Sequence, residues 1–477
     1  LSLHDALPIL KKFLISYDLS AELYLQEYEY KHDFNHKKFY FPKSITPKDV
    51  ENIFLKYIEK TTHVGYLNVI AQMQNDRIVL SDELKLQAKR KAKEKTNSLF
   101  GESRGIQFGA EVSFQKQKEP VIISNSKGGL FVKYIYSEEW IENNLDYPTL
   151  FNNFIYLFEF VDRQFRLSFI SKPTELGLFE GVLQGQTVKE YTKGIYFELK
   201  QMTALIQMTA YYNLLMRYEI YVEDLIDWFF SKYLKNEFSI DSYGITLPSK
   251  GTSALEKCRT IFPEIDGILK QFNLFVEHQK IDNDLLQIST NSIPISCYKS
   301  LIKKKYVYGC GDDFNRMCFC LFSNQSSLHY NEKYPKIGSF YNLIRDKNLK
   351  YDEFSEYNKV DLNWLIEKDI VYISNSYVKF KDEYLCIVLY DLYKNQVCSY
   401  HHMPQVLKDR LDFLVSNNYA KFESTLLTRQ EADYFDYYLN DHKFSNGLKL
   451  RNKYLHASHA SKDREDEHSR NYITGLY

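Results

Sequence analysis

No run of eighteen apolar residues occurs in the chain, so no membrane-spanning helix is expected. Excess charge of either sign is missing too. The formal net charge is -1, which gives the whole molecule no pull toward nucleic acid or an anionic membrane. Any nucleic-acid site must therefore be a local basic patch. The seven cysteines, Cys258, Cys297, Cys310, Cys318, Cys320, Cys386 and Cys398, are odd in number and irregular in spacing. That fits reduced thiols better than a disulfide framework, so the protein reads as cytoplasmic. There is no Gly-rich phosphate loop, no nucleophile elbow and no His-Glu-x-x-His. GCGDDF, 309 to 314, is too short for a dinucleotide fingerprint. Cys310, Cys318, Cys320 and His329 lack the paired Cys-x2-4-Cys knuckles that tetrahedral zinc requires, and Cys386, Cys398, His401 and His402 are equally scattered. No metal and no small-molecule cofactor is expected.

What is present is length and apolar content. With 477 residues, 44% of them apolar, the chain can bury one large core, and two to four are expected. Forty tyrosines and 33 phenylalanines, beside many Lys, Asn and Ile, read as coding bias of an AT-rich genome. A base-stacking surface is the sharper alternative. LSLHDALPI, 1 to 9, resembles a translated sequencing-adapter remnant and is set aside from fold reasoning. RNYITGLY, 470 to 477, stops inside the start of an apolar helix, so the chain reads as a fragment at both ends.

Periodicity predicts mostly helices. TPKDVENIFLKYIEK has Thr46 as N-cap, Pro47 at the first helical position and acids in the first turn. SDELKLQAKRKAKEKTNSLF, 81 to 100, is a helix with a basic face of Lys85, Lys89, Arg90, Lys91, Lys93 and Lys95. That face is either solvated or a phosphate contact. GIQFGAEVSF and GGLFVKYIY alternate like two strands around a lysine-containing loop, within 104 to 137. TLFNNFIYLFEFVDRQF reads as one apolar-faced helix. QMTALIQMTAYYNLLMRY and VEDLIDWFFSKYLKNEF read as a helix pair, with Met202, Met208 and Met216 as core filler. SYGITLPSKGTS, 242 to 253, is the best boundary, and the helix after it is expected to break at Pro263. DLNWLIEKDIVYISNSYVKFKD reads helix, turn, strand, and LKDRLDFLVSNNYAKFESTLLTRQEADYFDYYL reads helix, strand-like hairpin, helix. Each resembles a winged-helix unit.

One stretch carries candidate chemistry. NGLKLRNKYLHASHAS, 446 to 461, sets Arg451 beside Asn452 with His456 five positions after the arginine. Arg-x4-6-His is cheap, since 14 arginines and 12 histidines give about one match by chance. At about 100° per residue, Leu448, Arg451, Asn452, Leu455 and His456 fall within an arc of roughly 140°. The polar trio is thus expected to share a core-facing stripe with two leucines, where polar groups either line a cleft or form a buried network.

NGLKLRNKYLH resembles the Leu-Arg-Asn-x-x-x-His-Gly signature near the C-terminal end of HEPN domains, extended loosely by EADYFDYYLN before it. These four-helix domains occur in ribonuclease toxins, abortive-infection proteins and RNA-targeting CRISPR effectors. Ala457 departs from the glycine that commonly follows the histidine. The resemblance implies a metal-independent endoribonuclease of prokaryotic defence or stress, with RNA as partner and a homodimer that sets two motifs face to face. His456 would move a proton, Arg451 would hold the phosphate, and Asn452 would orient the pair. The alternatives are a non-catalytic nucleic-acid- or protein-binding module with winged-helix-like and helical domains, and a structural α-rich scaffold.

The expected class is therefore mainly α with small β elements (α+β), multi-domain, with a truncated C-terminal HEPN-like bundle. The expected divisions are an α-rich domain over 10–245, a helical segment over 246–345 that contributes to the bundle, a winged-helix-like insert over 346–440, and the motif region over 441–477.

Overall fold

A computed structural model describes residues 3–30, 38–73, 75–100, 107–126, 130–177, 180–181, 187–240, 242–288, 293–330, 333–335, 337–455 and 464–477. The protein is mainly helical, 57% helix against 10% strand, with small sheets. Among the described residues no helix is long and apolar enough to cross a membrane.

In chain order the elements begin with α1 (Leu3–Ser16), α2 (Ser20–Tyr28), α3 (Pro47–Lys60), α4 (Val64–Gln72) and α5 (Asp82–Phe100). Three strands follow, β1 (Gly109–Gln115), β2 (Val121–Asn125) and β3 (Phe131–Ser137). Next come α6 (Glu138–Glu142), α7 (Tyr147–Tyr156), α8 (Ile195–Arg217), α9 (Val222–Trp228), α10 (Leu234–Phe238), α11 (Ala254–His278) and α12 (Asn283–Ile288). The middle of the chain holds β4 (Tyr306–Gly309), α13 (Asp312–Phe322), α14 (Phe340–Asp346), α15 (Glu356–Glu367), β5 (Val371–Ser374), β6 (Tyr377–Phe380), α16 (Glu383–Asn395), β7 (Cys398–Ser399), α17 (Gln405–Ser416) and β8 (Ala420–Glu423). The last helices are α18 (Arg429–Leu439), α19 (Leu450–Leu455) and α20 (Glu465–Leu476).

The chain divides into two compact units. One comprises 1–160, 169–289 and 432–477, and the other 161–168 and 290–431. The chain therefore leaves the first unit at 290, where the sequence places an insert from 346, and returns to it at 432. The Gly/Pro/Ser stretch 242–253 is a loop inside the first unit.

In the first unit α2 to α5 close over a core that includes Leu25, Phe54, Tyr57, Leu67, Ile70 and Ala88. The start of α3 is set by a capping box: Asp49 N–H donates to the Thr46 hydroxyl, and Thr46 N–H donates back to the Asp49 carboxylate. Such a cap contributes about 1 kcal/mol. Strand order in the sheet is β1-β3-β2, with β1 parallel and β2 antiparallel to β3. The extra strand VIISN replaces the simple two-strand reading: it forms the antiparallel pair, and the expected partners lie side by side in parallel. The helix expected over 149–165 stops at Tyr156, where Asn153 O accepts from both Leu157 N–H and Phe158 N–H. Glu159 and Phe165 then take left-handed φ values of 53° and 56°, which a helix cannot contain. Conversely, α11 runs unbroken through Pro263, which forfeits only one backbone donor. Of the three methionines, Met208 is wholly buried and Met216 is exposed.

The second unit has two successive halves of similar plan. In the first half, α13, α14 and α15 precede the β5–β6 hairpin, whose tight turn Asn375-Ser376 has both φ values positive, 52° and 69°. Lys350 makes an isolated antiparallel bridge to Tyr377 at the edge of that hairpin. In the second half, α16, β7, α17 and β8 follow in order, and β4 completes a sheet of order β7-β4-β8. Thus β8 pairs with β4 rather than with a hairpin neighbour. Met317, Leu321, Phe340, Leu362, Leu365, Val388 and Leu411 form one shared core. Gly309 ends β4 where an added Cβ would lie 2.0 Å from the Phe314 ring, so no larger residue fits. The segment 161–168 is tied in by Arg166, whose Nη1 donates to Asp391 Oδ1 at 3.1 Å, and by Gln164, whose Nε2 donates to Asp391 Oδ2 at 2.6 Å.

Candidate functional site

The motif is delivered by a rigid lead-in. Asn446 clamps the Tyr191 backbone from both sides: its Nδ2 donates to Tyr191 O at 2.9 Å, and its Oδ1 accepts from Tyr191 N–H at 3.0 Å. Gly447 follows where a Cβ would press on the carbonyls of Tyr437, Asn440 and Phe444 at 3.1–3.2 Å. Leu448 N–H donates to Tyr437 O, and Lys449 turns left-handed at φ 56°. The helix can begin only after that residue, so α19 starts at Leu450.

This start corrects the expected stripe. Leu448 lies outside the helix, and Leu448 and Leu455 are both exposed. The core-facing residues are Leu450 and Tyr454, one helical turn apart, and both are buried. Arg451 and Asn452 sit on the flank of α19, half-buried. His456 lies outside the described residues, so the structure brings together only two members of the expected trio.

Arg451 has a partner that periodicity did not identify. Its Nη2 lies 2.6 Å from Asp266 Oδ2 on α11, with both side chains 30% exposed. Its Nε is buried and makes no hydrogen bond. A pair this exposed contributes about 0–1 kcal/mol. Lys453, beside it, is paired with Glu467 on α20. That cation, together with Arg464, holds the Glu467 carboxyl below its ordinary value.

Under α19 is a dense polar network. Tyr454 stacks on Phe262 at 5.3 Å, and its hydroxyl lies 2.8 Å from His468 Nδ1 and accepts from Asn471 Nδ2 at 2.8 Å. His468 is fully buried, and its carbonyl accepts from the Cys258 thiol at 3.2 Å. Burial pushes that thiol up to about 12, so it is no nucleophile at neutral pH. Further along, Glu223 Oε1 accepts from Tyr472 at 2.6 Å and Tyr212 at 2.9 Å, and Lys257 Nζ lies 3.5 Å away. Four helices, α8, α9, α11 and α20, thus meet on one carboxylate. Glu223 Oε2 is buried without a partner. Burial of the two tyrosines, with Glu223 beside them, raises the pKa of both hydroxyls, so both stay protonated donors.

The cysteines offer no reactive centre of this kind. Cys318 and Cys320 are buried on α13, and burial raises both thiols, Cys320 to about 12. Among the described residues no cluster of His, Cys, Asp and Glu could hold a metal ion.

Two basic surfaces complete the inventory. On α5, Lys89, Arg90 and Lys93 are exposed, and Lys91 turns inward to the carbonyl of Ile58. In the second unit, Lys303 and Lys304 stand exposed on the turn before β4, beside His401 and His402. Sequence reading noted those histidines only as failed metal ligands. The signal that finds the second surface is the run LIKKKYVY, three lysines entering a strand.

The chain matches no protein-family model. It matches no curated protein and no solved structure either.

Proposed function

We propose that the C-terminal helices form a HEPN-like RNA-processing module in which Arg451 is the phosphate-binding residue, Asn452 its neighbour and His456 the proton carrier. The observation that carries this reading is Arg451 itself. A guanidinium 30% exposed on the flank of a short helix, held by a single carboxylate and backed by a fixed polar network, is where a phosphate could take the place of Asp266. In the proposed reaction an RNA 2′-hydroxyl forms a bond to the adjacent phosphorus, and the bond to the 5′-oxygen breaks. The products carry a 2′,3′-cyclic phosphate and a 5′-hydroxyl. His456 moves the proton, and Arg451 stabilises charge as it develops on the phosphate. Asp266 occupies the guanidinium face that a phosphate would take, so this arrangement is a latent one. The reading carries a homodimer, with two motifs sharing one cleft.

A second reading rests on the same pair. Arg451 is already paired with Asp266, as it would be in a non-catalytic nucleic-acid- or protein-binding module with helical and winged-helix-like parts.

The two separate in one assay, with labelled single-stranded RNA in EDTA. On the first reading wild type leaves cyclic phosphate ends, Arg451→Ala and His456→Ala do not cut, and Asp266→Asn cuts faster by releasing the guanidinium. RNA left intact by both wild type and Asp266→Asn abandons catalysis for the binding reading.

A further inference from the structure

We infer that the second unit binds the backbone of single-stranded nucleic acid on the surface formed by Lys303, Lys304, His401, Lys408 and the Phe165–His402 pair. This site is separate from the motif and does not depend on its chemistry.

The observations converge on one spot. His401 Nε2 lies 2.9 Å from the Lys303 carbonyl, and Tyr400 N–H donates to Lys305 O at 2.9 Å. The lysine turn is thereby fixed to the helical turn after β7. Lys304 Nζ sits 4.9 Å above the Phe422 ring, Phe422 meets Tyr400 edge-on at 5.1 Å, and Lys408 Nζ lies 5.6 Å from the Tyr400 ring. The cations are therefore held on an aromatic floor. Phe165 stacks with His402 at 4.8 Å and is 48% exposed.

Charge is not cancelled here. Among the described residues, Lys303, Lys304 and Lys408 have no carboxylate within ion-pair distance. The nearby carboxylates have other partners: Asp162 is held by Arg166, Asp409 accepts from the Gln405 amide, Asp412 from the Tyr400 hydroxyl, and Glu423 is held by Arg429 and Lys421. Unpaired cations tracking a backbone, beside an exposed ring pair for a base, are the components of a single-strand site. The exposed aliphatics beside them, Leu301 and Ile302, are too few to anchor the unit in a bilayer.

The test is fluorescence anisotropy of the full chain with a labelled 15-nucleotide thymidine DNA strand. That strand has no 2′-hydroxyl, so the reaction proposed for the motif cannot consume it, and loss of binding is distinct from failure of the ribonuclease reading. Wild type is expected to bind. Lys303→Ala with Lys304→Asn should weaken binding roughly tenfold and lower the slope of log K against log salt by roughly 1.4, about 0.7 per released contact. Asparagine keeps the left-handed conformation of Lys304, φ 54°, and an unchanged melting midpoint certifies the fold. Phe165→Ala should weaken binding severalfold and leave the slope unchanged, since stacking is not ionic. Lys89→Ala with Lys93→Ala on α5 should change nothing. The proposal is overturned if the Lys303/Lys304 variant binds like wild type, if the α5 variant is the one that loses binding, if duplex DNA binds more tightly, or if phosphatidylserine vesicles bind and the strand does not.

Discussion

Arg451 and Lys453 in the motif helix are held by carboxylates, whereas, among the described residues, Lys303 and Lys304 on the lysine turn of the second unit are not. Arg451 faces Asp266, Lys453 faces Glu467 and Lys257 faces Glu223. Lys303 and Lys304 are instead exposed, Lys304 over the Phe422 ring, with no carboxylate among the described residues within ion-pair distance. The first region uses charge to hold helices in register, whereas the second leaves charge available to a partner. A basic residue in a suggestive motif is therefore weaker grounds for anion binding than an ordinary lysine that its neighbours have left bare.

The sharpest way to break this contrast is at Glu223. It joins α8, α9, α11 and α20, and it is buried with one oxygen unpartnered. Glu223→Ala strands Lys257 and two tyrosine hydroxyls, and should destabilise the first unit by about 3–5 kcal/mol in chemical denaturation. A loss under about 1 kcal/mol would mean the network carries no weight. Charge reversal at Lys303 should leave stability within about 0.5 kcal/mol, as exposed substitutions do.

A smaller effect separates clasp from strut at Arg451. In a double-mutant cycle, Arg451→Met and Asp266→Asn should couple by about 0.5–1 kcal/mol, and the coupling should shrink in 1 M salt because both side chains are 30% exposed. A coupling of about 3 kcal/mol, insensitive to salt, would make the pair a buried strut and remove the latent-site reading.

Helices were the legible part of the fold. Caps and periodicity marked α3, α5, α8, α15 and α17, because those signals are local. The unit boundaries were not legible: the joins at 160 and 431 carry no Gly/Pro/Ser cluster, and the Ser/Pro stretch STNSIPIS after the join at 289 is no stronger a signal than the loop at 242–253. The stripe on α19 failed for a related reason. A regular 100° wheel cannot foresee that Lys449 turns left-handed and starts the helix two residues after Leu448. Asp266 lies 185 residues before Arg451 in sequence, and nothing in local spacing announces that they meet. His401 and His402 were visible only as scattered polar residues, since their relation to the lysine run exists only after β4 and β7 pair.

The last contrast is in pH. Burial holds the His402 pKa below its ordinary 6.5, assisted by His401, Lys305 and Lys408 and opposed by Asp162. The folded form then resists protonation, so the unfolded chain binds the extra proton and stability falls as pH drops below 6.5. Glu467, held below its ordinary 4.5 by Lys453, contributes stability that is full above 4.5 and is lost as pH falls through its lower folded value. Acid titration of the melting midpoint should therefore show two separate windows. His402→Gln should flatten only the upper one, and Lys453→Met only the lower. If Lys453→Met flattened the upper window, the assignment of that window to His402 would fail, and with it the claim that the lysine turn raises the local potential at this histidine.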